Sequence, residues 1–305
     1  MTNNLFKNYY FNKIIMNLLL LPNDIHIEIF KYFITKEIGK IFLLSKSSIL
    51  VLERVIKSSK FSINLSWCEQ ITDSGLKHLN GVHCINLTGC HQITDSGLEY
   101  LKGVHSINLY DCRKITDSGL EHLKGVHSIN LSNCQQITDS GLEYLKGVHT
   151  IDLSNCEQIT NYGLEHLKGV HTIDLSFCHQ ITDFGLEHLK GFHTINLQYC
   201  HQITDLGLKF IGASADEFKI GPAHAESILE QLKGVHTINL FYCKQITDSG
   251  LKHLKGVEII DLSHCQNITD CGLQHLKGVQ TIHLFYCPQI TDSGLEHLKG
   301  SNILR

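Results

Sequence analysis

Ten of the twelve cysteines in this chain of 305 residues fall on one period: Cys68, Cys90, Cys112, Cys134, Cys156, Cys178, Cys200, Cys243, Cys265 and Cys287 are 22 residues apart, with one interval of 43 between Cys200 and Cys243. A period this short admits few folds. One unit is too small to bury its own apolar face, whereas stacked copies share a single core. The wide interval is twice 22 less one, so the spacing predicts a degenerate unit near 213–233, with Phe218 in the slot of a strand leucine and Gly221 in the slot of the cysteine. Counting it gives about eleven units between Phe61 and Gly300.

The unit Val104–Gly125 reads VHSINLYDCRKITDSGLEHLKG. Ile107 and Leu109 alternate at the period of a strand. Thr116 and Asp117 are helix N-cap candidates, Leu120 and Leu123 share one helix face, Glu121 and Lys124 form an (i, i+3) pair, and Gly125 stops the helix. Each unit is therefore a short strand followed by a helical turn.

The spacing of Val126, Ile129, Leu131 and Cys134, followed by ITDSGL, resembles the cysteine-containing class of leucine-rich repeats. The resemblance covers about 240 of the 305 residues. It implies an α/β leucine-rich-repeat solenoid over residues 61–305, a horseshoe with parallel strands on its concave face and short helices on its convex face.

Residues 1–60 do not follow the period. After an extension, 1–19, apolar residues at Ile25, Ile29, Phe30 and Phe33, then at Ile38, Ile41, Phe42 and Leu44, predict a small all-α module over 20–60. Leu21 and Pro22 at its opening, Asp24, the central Ile29 and Phe30, and Glu37 with Ile38 resemble the F-box; where that family carries a cysteine and then a tryptophan, this chain has Ser45 and Ser48. The resemblance implies docking to the Skp adaptor of a cullin ubiquitin ligase through Leu21, Pro22, Ile25, Ile29, Phe30 and Ile38. With the repeats it implies a non-catalytic adaptor that holds a target protein for ubiquitination. The alternative is a repeat scaffold whose N-terminal helices only cap the first unit.

Charge and apolar runs exclude other classes. The net charge is -4, and no block of Lys or Arg exists to track nucleic-acid phosphates. The best apolar run, Ile14–Leu21, is too short to span a bilayer and leads into Pro22, Asn23 and Asp24 rather than a cleavage site, so a reducing cytoplasmic or nuclear setting in a eukaryotic cell is expected. There the thiols stay free, and no CxxC pair points to zinc. The column cysteines are read as small buried hydrophobes.

Two histidine columns, His83, His105, His127, His149, His171, His193 and His236, and His78, His122, His166, His188, His253, His275 and His297, are copies without a partner that sets one apart. They are read as exposed polar positions, with no metal or cofactor. Cys84 and Cys271 lie off the column and also lack a distinguishing base, so no catalytic residue is expected.

Function in a repeat protein is sought where the copies diverge. The two positions after the strand leucine are Ser132 and Asn133 or Ser154 and Asn155 in the middle of the chain, but carry Phe177, Tyr199, Phe241, Tyr242, Phe285 and Tyr286 toward its end. These six rings form the expected target-binding patch. After Gly300 only Ser301–Arg305 remains, which predicts an open core around Ile282, Leu284 and Leu295.

Overall fold

Residues 62–189, 191–212 and 235–305 are described by a computed structural model. The adaptor-contact residues Leu21, Pro22, Ile25, Ile29, Phe30 and Ile38, and the degenerate unit at 213–233, lie outside the described residues.

Every unit contributes one three-residue strand: β1 (Ser62–Asn64), β2 (Cys84–Asn86), β3 (Ser106–Asn108), β4 (Ser128–Asn130), β5 (Thr150–Asp152), β6 (Thr172–Asp174), β7 (Thr194–Asn196), β8 (Thr237–Asn239), β9 (Ile259–Asp261), β10 (Thr281–His283) and β11 (Asn302–Leu304). They form one sheet in chain order, each parallel to the next. The central isoleucine of each strand and the leucine two residues later point to the same side, so that Ile129 and Leu131 are buried while Ser128 and Asn130 face out. Val126, Cys134, Ile137, Leu142 and Leu145 close the core of that unit, and their counterparts join one continuous apolar stack. The fold is a leucine-rich-repeat solenoid, as the period predicts.

The helical side is built from four-residue helices such as Asp117–Leu120 and Asp139–Leu142, each continued by a 3-10 turn. Helices this short do not persist alone, so their stability comes from neighbours. The main device is carried by the aspartate. Thr116 caps its own helix by accepting from the Ser118 N–H at 3.3 Å. Asp117, one of the two cap candidates, instead reaches the next unit: its Oδ1 accepts the Thr138 N–H at 2.8 Å and its Oδ2 accepts the Thr138 hydroxyl at 2.6 Å. The same double clamp joins Asp73 to Thr94, Asp95 to Thr116, Asp139 to Thr160 and, at the far end, Asp248 to Thr269 and Asp270 to Thr291. The glycine of each TDSG string follows from it, since a Cβ on Gly141 would stand 2.3 Å from Asp117 Oδ1.

The cysteine column is a second ladder. Cys134 Sγ donates to the Leu109 carbonyl at 3.1 Å, and Cys156, Cys178 and Cys200 repeat the contact on Leu131, Leu153 and Leu175. Burial pushes the Cys178 thiol up to about 12, so it stays protonated and keeps its donor role. All ten column thiols are free of disulfides.

The expectation of an open core is corrected, and the sheet is continuous across the wide interval. β7 and β8 are direct hydrogen-bonded neighbours, with Ile195 opposite Ile238. Asp205 clamps Thr247 across the same gap, with its Oδ1 on the N–H at 2.8 Å and its Oδ2 on the hydroxyl at 2.5 Å. Eleven strands are reached because the last five residues supply one: Asn302–Leu304 pairs with β10, and Ile303 packs on the core. Ile282 and Leu284 are therefore fully buried, and Leu295 is partly so. The strand Asn302–Leu304 covers the side of β10 that would otherwise lack a neighbour.

The imidazoles of His83, His105, His127, His149, His171, His193 and His236 stack along the sheet margin with ring centroids 4.3–4.8 Å apart. They follow the backbone, in which His127 donates to the His105 carbonyl and His149 to that of His127, both at 3.0 Å.

Two outcomes follow from this packing. In urea unfolding of the full chain, Asp117→Ala costs about 1.5–3 kcal/mol, the range for hydrogen bonds to a charged group. Gly141→Ala is also destabilising, but the double variant loses less than the sum by about 0.5–3 kcal/mol, because truncating Asp117 removes the carboxylate oxygen that the new Cβ strikes; additive losses contradict the clamp. The second outcome concerns pH. Partial burial, then the neighbouring His171 and His127, hold the His149 pKa below its ordinary value. The unfolded chain then takes up protons first, so stability is full above about pH 6.5 and falls as pH drops below it. The melting temperature is expected to fall between pH 7.5 and 5.5, and less so in a His127→Gln, His149→Gln, His171→Gln variant; equal profiles contradict this.

Candidate functional site

At the end of each strand the chain turns away from the sheet, and the turn is fixed by the outward polar residue of the strand. Asn130 Oδ1 accepts the Ser132 N–H at 2.9 Å, and Asp152 and Asp174 do the same for Ser154 and Ser176 at 2.9 and 2.8 Å. Neighbours in this column also brace each other: Asn130 donates to Asp152 and Asn196 to Asp174, each at 2.7 Å. Burial is the leading reason that the Asp152 pKa lies above its ordinary value. These polar groups are occupied within the stack and serve the turn.

The next residue carries the unusual conformation. Its φ is 61° at Asn133, 58° at Asn155, 61° at Phe177, 59° at Tyr199, 63° at Tyr242, 63° at His264 and 55° at Tyr286. The left-handed region costs most residues about 1–2 kcal/mol, with glycine, asparagine and aspartate the usual occupants. The units from Gly89 to Asn155 obey that preference with Gly89, Asp111, Asn133 and Asn155; the first unit, with Trp67 at φ 60°, and the second half, from Phe177 onward, do not. The ladder imposes the geometry in both halves, since the N–H of this residue donates to the carbonyl of the following unit, from Asn133 to Ser154 at 3.0 Å and from Phe177 to Gln198 at 2.9 Å. Bulky rings are thus held in a conformation that they do not favour, a pattern that marks functional positions.

The rings form a row. Phe177 stacks on Tyr199 at 4.7 Å, Tyr199 lies 4.8 Å from Tyr242, Tyr242 5.3 Å from His264, and His264 stacks on Tyr286 at 4.6 Å. Phe241 packs beside it, 5.5 Å from Tyr199 and 5.0 Å from His264, and the Lys244 ammonium stands 4.3 Å above the Tyr242 ring. Phe177 is 37 % exposed, Phe285 40 % and Tyr286 76 %, whereas Tyr199, Phe241 and Tyr242 are half-buried. Of the six expected residues, five join this row. Phe285 stands apart against His283, at 6.3 Å.

Sequence reasoning missed His264, the link between Tyr242 and Tyr286, although it occupies the same slot of the period. The row crosses the gap in the numbering because Tyr199 and Tyr242 sit in adjacent units. At the opposite end Trp67, 60 % exposed, lies over Gly89, where any Cβ would come within 2.3 Å of its ring.

The off-column thiols are not brought together. Cys84 is half-buried in β2 between Ser62 and Ser106, and Cys271 is exposed near the start of the helix Asp270–Leu273. Among the described residues no three His, Cys, Asp or Glu side chains are already gathered around a metal position, and no helix is long and apolar enough to cross a membrane.

A family model described as Leucine Rich repeat matches residues 62–79, 82–102 and 126–146. No curated protein matches the sequence significantly. Among solved structures, a chain in the complex of Rad7 and Elc1 from yeast is similar at 15 % identity and TM-score 0.52, with 99 % of this chain and 92 % of that one covered. A chain of the Toll–Spatzle complex from Drosophila is similar at 15 % identity and TM-score 0.54 over 77 % of this chain, which spans only 31 % of that one. At such identities the likeness is one of fold. Period, sheet and family model agree that this chain carries leucine-rich repeats stacked into a solenoid.

Proposed function

We propose that the chain is a non-catalytic binding scaffold whose repeats grip a target protein through the row Phe177, Tyr199, Phe241, Tyr242 and Tyr286, flanked by Phe285. The observation that carries this reading is the unbroken run of rings held at positive φ from Phe177 to Tyr286, where the units from Gly89 to Asn155 keep Gly, Asp or Asn and the first unit holds Trp67. Exposed aromatic side chains in contact with one another supply area and, at the tyrosines, a hydrogen-bonding tip, which is the composition of protein interface anchors. The outward polar residues Asn130 and Asp152 make bonds within the stack, whereas the rings Phe177, Phe285 and Tyr286 are exposed and open to a partner.

The finer reading joins this surface to residues 20–60. Their F-box resemblance, directly before the repeats, supports docking to the Skp adaptor and cullin ligase core through Leu21, Pro22, Ile25, Ile29, Phe30 and Ile38, with the held target presented for ubiquitination in the cytoplasm or nucleus. The chemistry of transfer then belongs to the ligase core, and this chain supplies position.

The two parts separate in one experiment. The full chain is expected to capture the purified Skp adaptor, and Leu21→Asp with Ile29→Asp to abolish capture. Tyr199→Asn, Tyr242→Asn and Tyr286→Asn together leave adaptor capture and the unfolding midpoint unchanged, because asparagine suits the left-handed turn, but weaken target binding by about 2–4 kcal/mol, or some 30- to 1,000-fold. No adaptor capture by the full chain rejects the ligase role in favour of a scaffold with a helical cap. Unchanged target binding by the triple variant rejects the row.

A further inference from the structure

The histidine column ends differently from the way it runs. After His236 the slot holds Glu258 and then Gln280, and Glu258 turns back on the last histidine, with its Oε1 3.0 Å from His236 Nδ1. The two preceding rings are also tied at Nδ1, His193 to the Thr194 hydroxyl at 3.1 Å and His171 to the Thr172 hydroxyl at 3.2 Å. All three therefore have Nε2 as the ring nitrogen left over for a ligand.

Spacing singles out the same end. His193 and His236 are the closest pair of the column, with centroids 4.3 Å apart and planes 9° from parallel, whereas His171 stands 4.8 Å from His193, the widest step of the column. Their backbones are locked, since His236 donates to the His193 carbonyl at 3.0 Å and His193 to that of His171 at 2.8 Å. A late first-row cation binds imidazole nitrogen at about 2.0–2.1 Å, which sets two adjacent ligand nitrogens about 3 Å apart. Two rings stacked at this distance reach that separation by tilting toward each other about their side-chain torsions, without movement of the strands. The surface is open enough to admit the ion, as the His236 side chain is 30 % exposed and that of Glu258 44 %.

A carboxylate on Nδ1 does what it does behind metal-bound histidines generally: it fixes the tautomer with the proton on Nδ1 and makes Nε2 the better donor. No other histidine of the column faces a carboxylate from the following unit, because that slot otherwise holds another histidine. Glu258 thus sets one end of a run of copies apart from the rest.

We propose that His193 and His236, oriented by Glu258, bind a divalent cation of the copper, nickel and zinc group through Nε2, with water completing the shell. Imidazole favours these ions over magnesium or calcium, and copper(II) is held most tightly among them. The site is independent of the aromatic row and of the role proposed for residues 20–60.

The test adds copper(II) to the full chain at pH 7.5 and follows the first equivalent by electron paramagnetic resonance and by competition with a chelator. Hyperfine structure from two imidazole nitrogens is expected. His193→Gln with His236→Gln should weaken the first equivalent at least tenfold, and Glu258→Gln about 10- to 100-fold. Glutamine already occupies the slot at Gln280, and an unchanged melting temperature checks that each variant folds. His105→Gln with His127→Gln serves as the control and should leave the first equivalent unchanged. An affinity indifferent to the His193 and His236 changes, an equal loss in the control, or a signal without imidazole nitrogen overturns the proposal; indifference to Glu258→Gln overturns the orienting role.

Discussion

Successive units of this solenoid are held together by a carboxylate that accepts two hydrogen bonds from the following threonine, as Asp117 does from Thr138, with Asn161 taking the place of the aspartate once, accepting from the Thr182 N–H and donating to its hydroxyl. The rest of the architecture depends on it. A four-residue helix has too few internal bonds to persist, and a three-residue strand has no stability outside its sheet. The clamp fixes the separation of successive helices, the sheet fixes that of successive strands, and the apolar stack between them fills only when both spacings agree. The glycine beside each aspartate, and the thiol that donates to the leucine carbonyl of the preceding unit, are consequences of this close approach.

The period made most of the fold legible. Strand, helical turn, inward Ile and Leu and glycine stop all follow from the unit Val104–Gly125, because one-dimensional stacking converts sequence repeats into spatial neighbours. What the period hid was the direction of the polar contacts. Asp117 reads as a cap for its own helix, since local capping is the common use of Asp at that point, and only the stacking distance shows that it serves the next unit. The interval of 43 reads as a worn repeat, and only the structure shows that strands 194–196 and 237–239 pair directly across it. Ser301–Arg305 reads as too short to cover the last core, yet Asn302–Leu304 pairs with β10 and Ile303 packs on that core.

The surface was partly legible for a related reason. Divergence from the copies points to Phe177, Tyr199, Phe241, Tyr242, Phe285 and Tyr286, but alternation and composition carry no information about φ. The left-handed turn appears only in the structure, where it turns a list of aromatic residues into an oriented row, adds His264 to it and sets Phe285 aside. A stack selected for stability alone has Gly, Asp and Asn available for that turn, and the units from Gly89 to Asn155 use them. The histidine column teaches the same lesson in reverse: seven similar residues hide one end where a carboxylate replaces the next copy.

The account stands on a sheet that runs unbroken past residues 213–234, because only then are Tyr199 and Tyr242 neighbours and the row continuous. Deleting residues 212–232 joins Ile211 to Lys233, Gly234 and Val235, which restores a spacing of 22 between the flanking cysteines and the KGV string of the other units. If the ladder is continuous, the deleted chain unfolds in urea in a single transition whose midpoint equals or exceeds that of the full chain, since no strand of the described sheet is lost. A lower midpoint, or a second transition that splits the stack at this point, would contradict it.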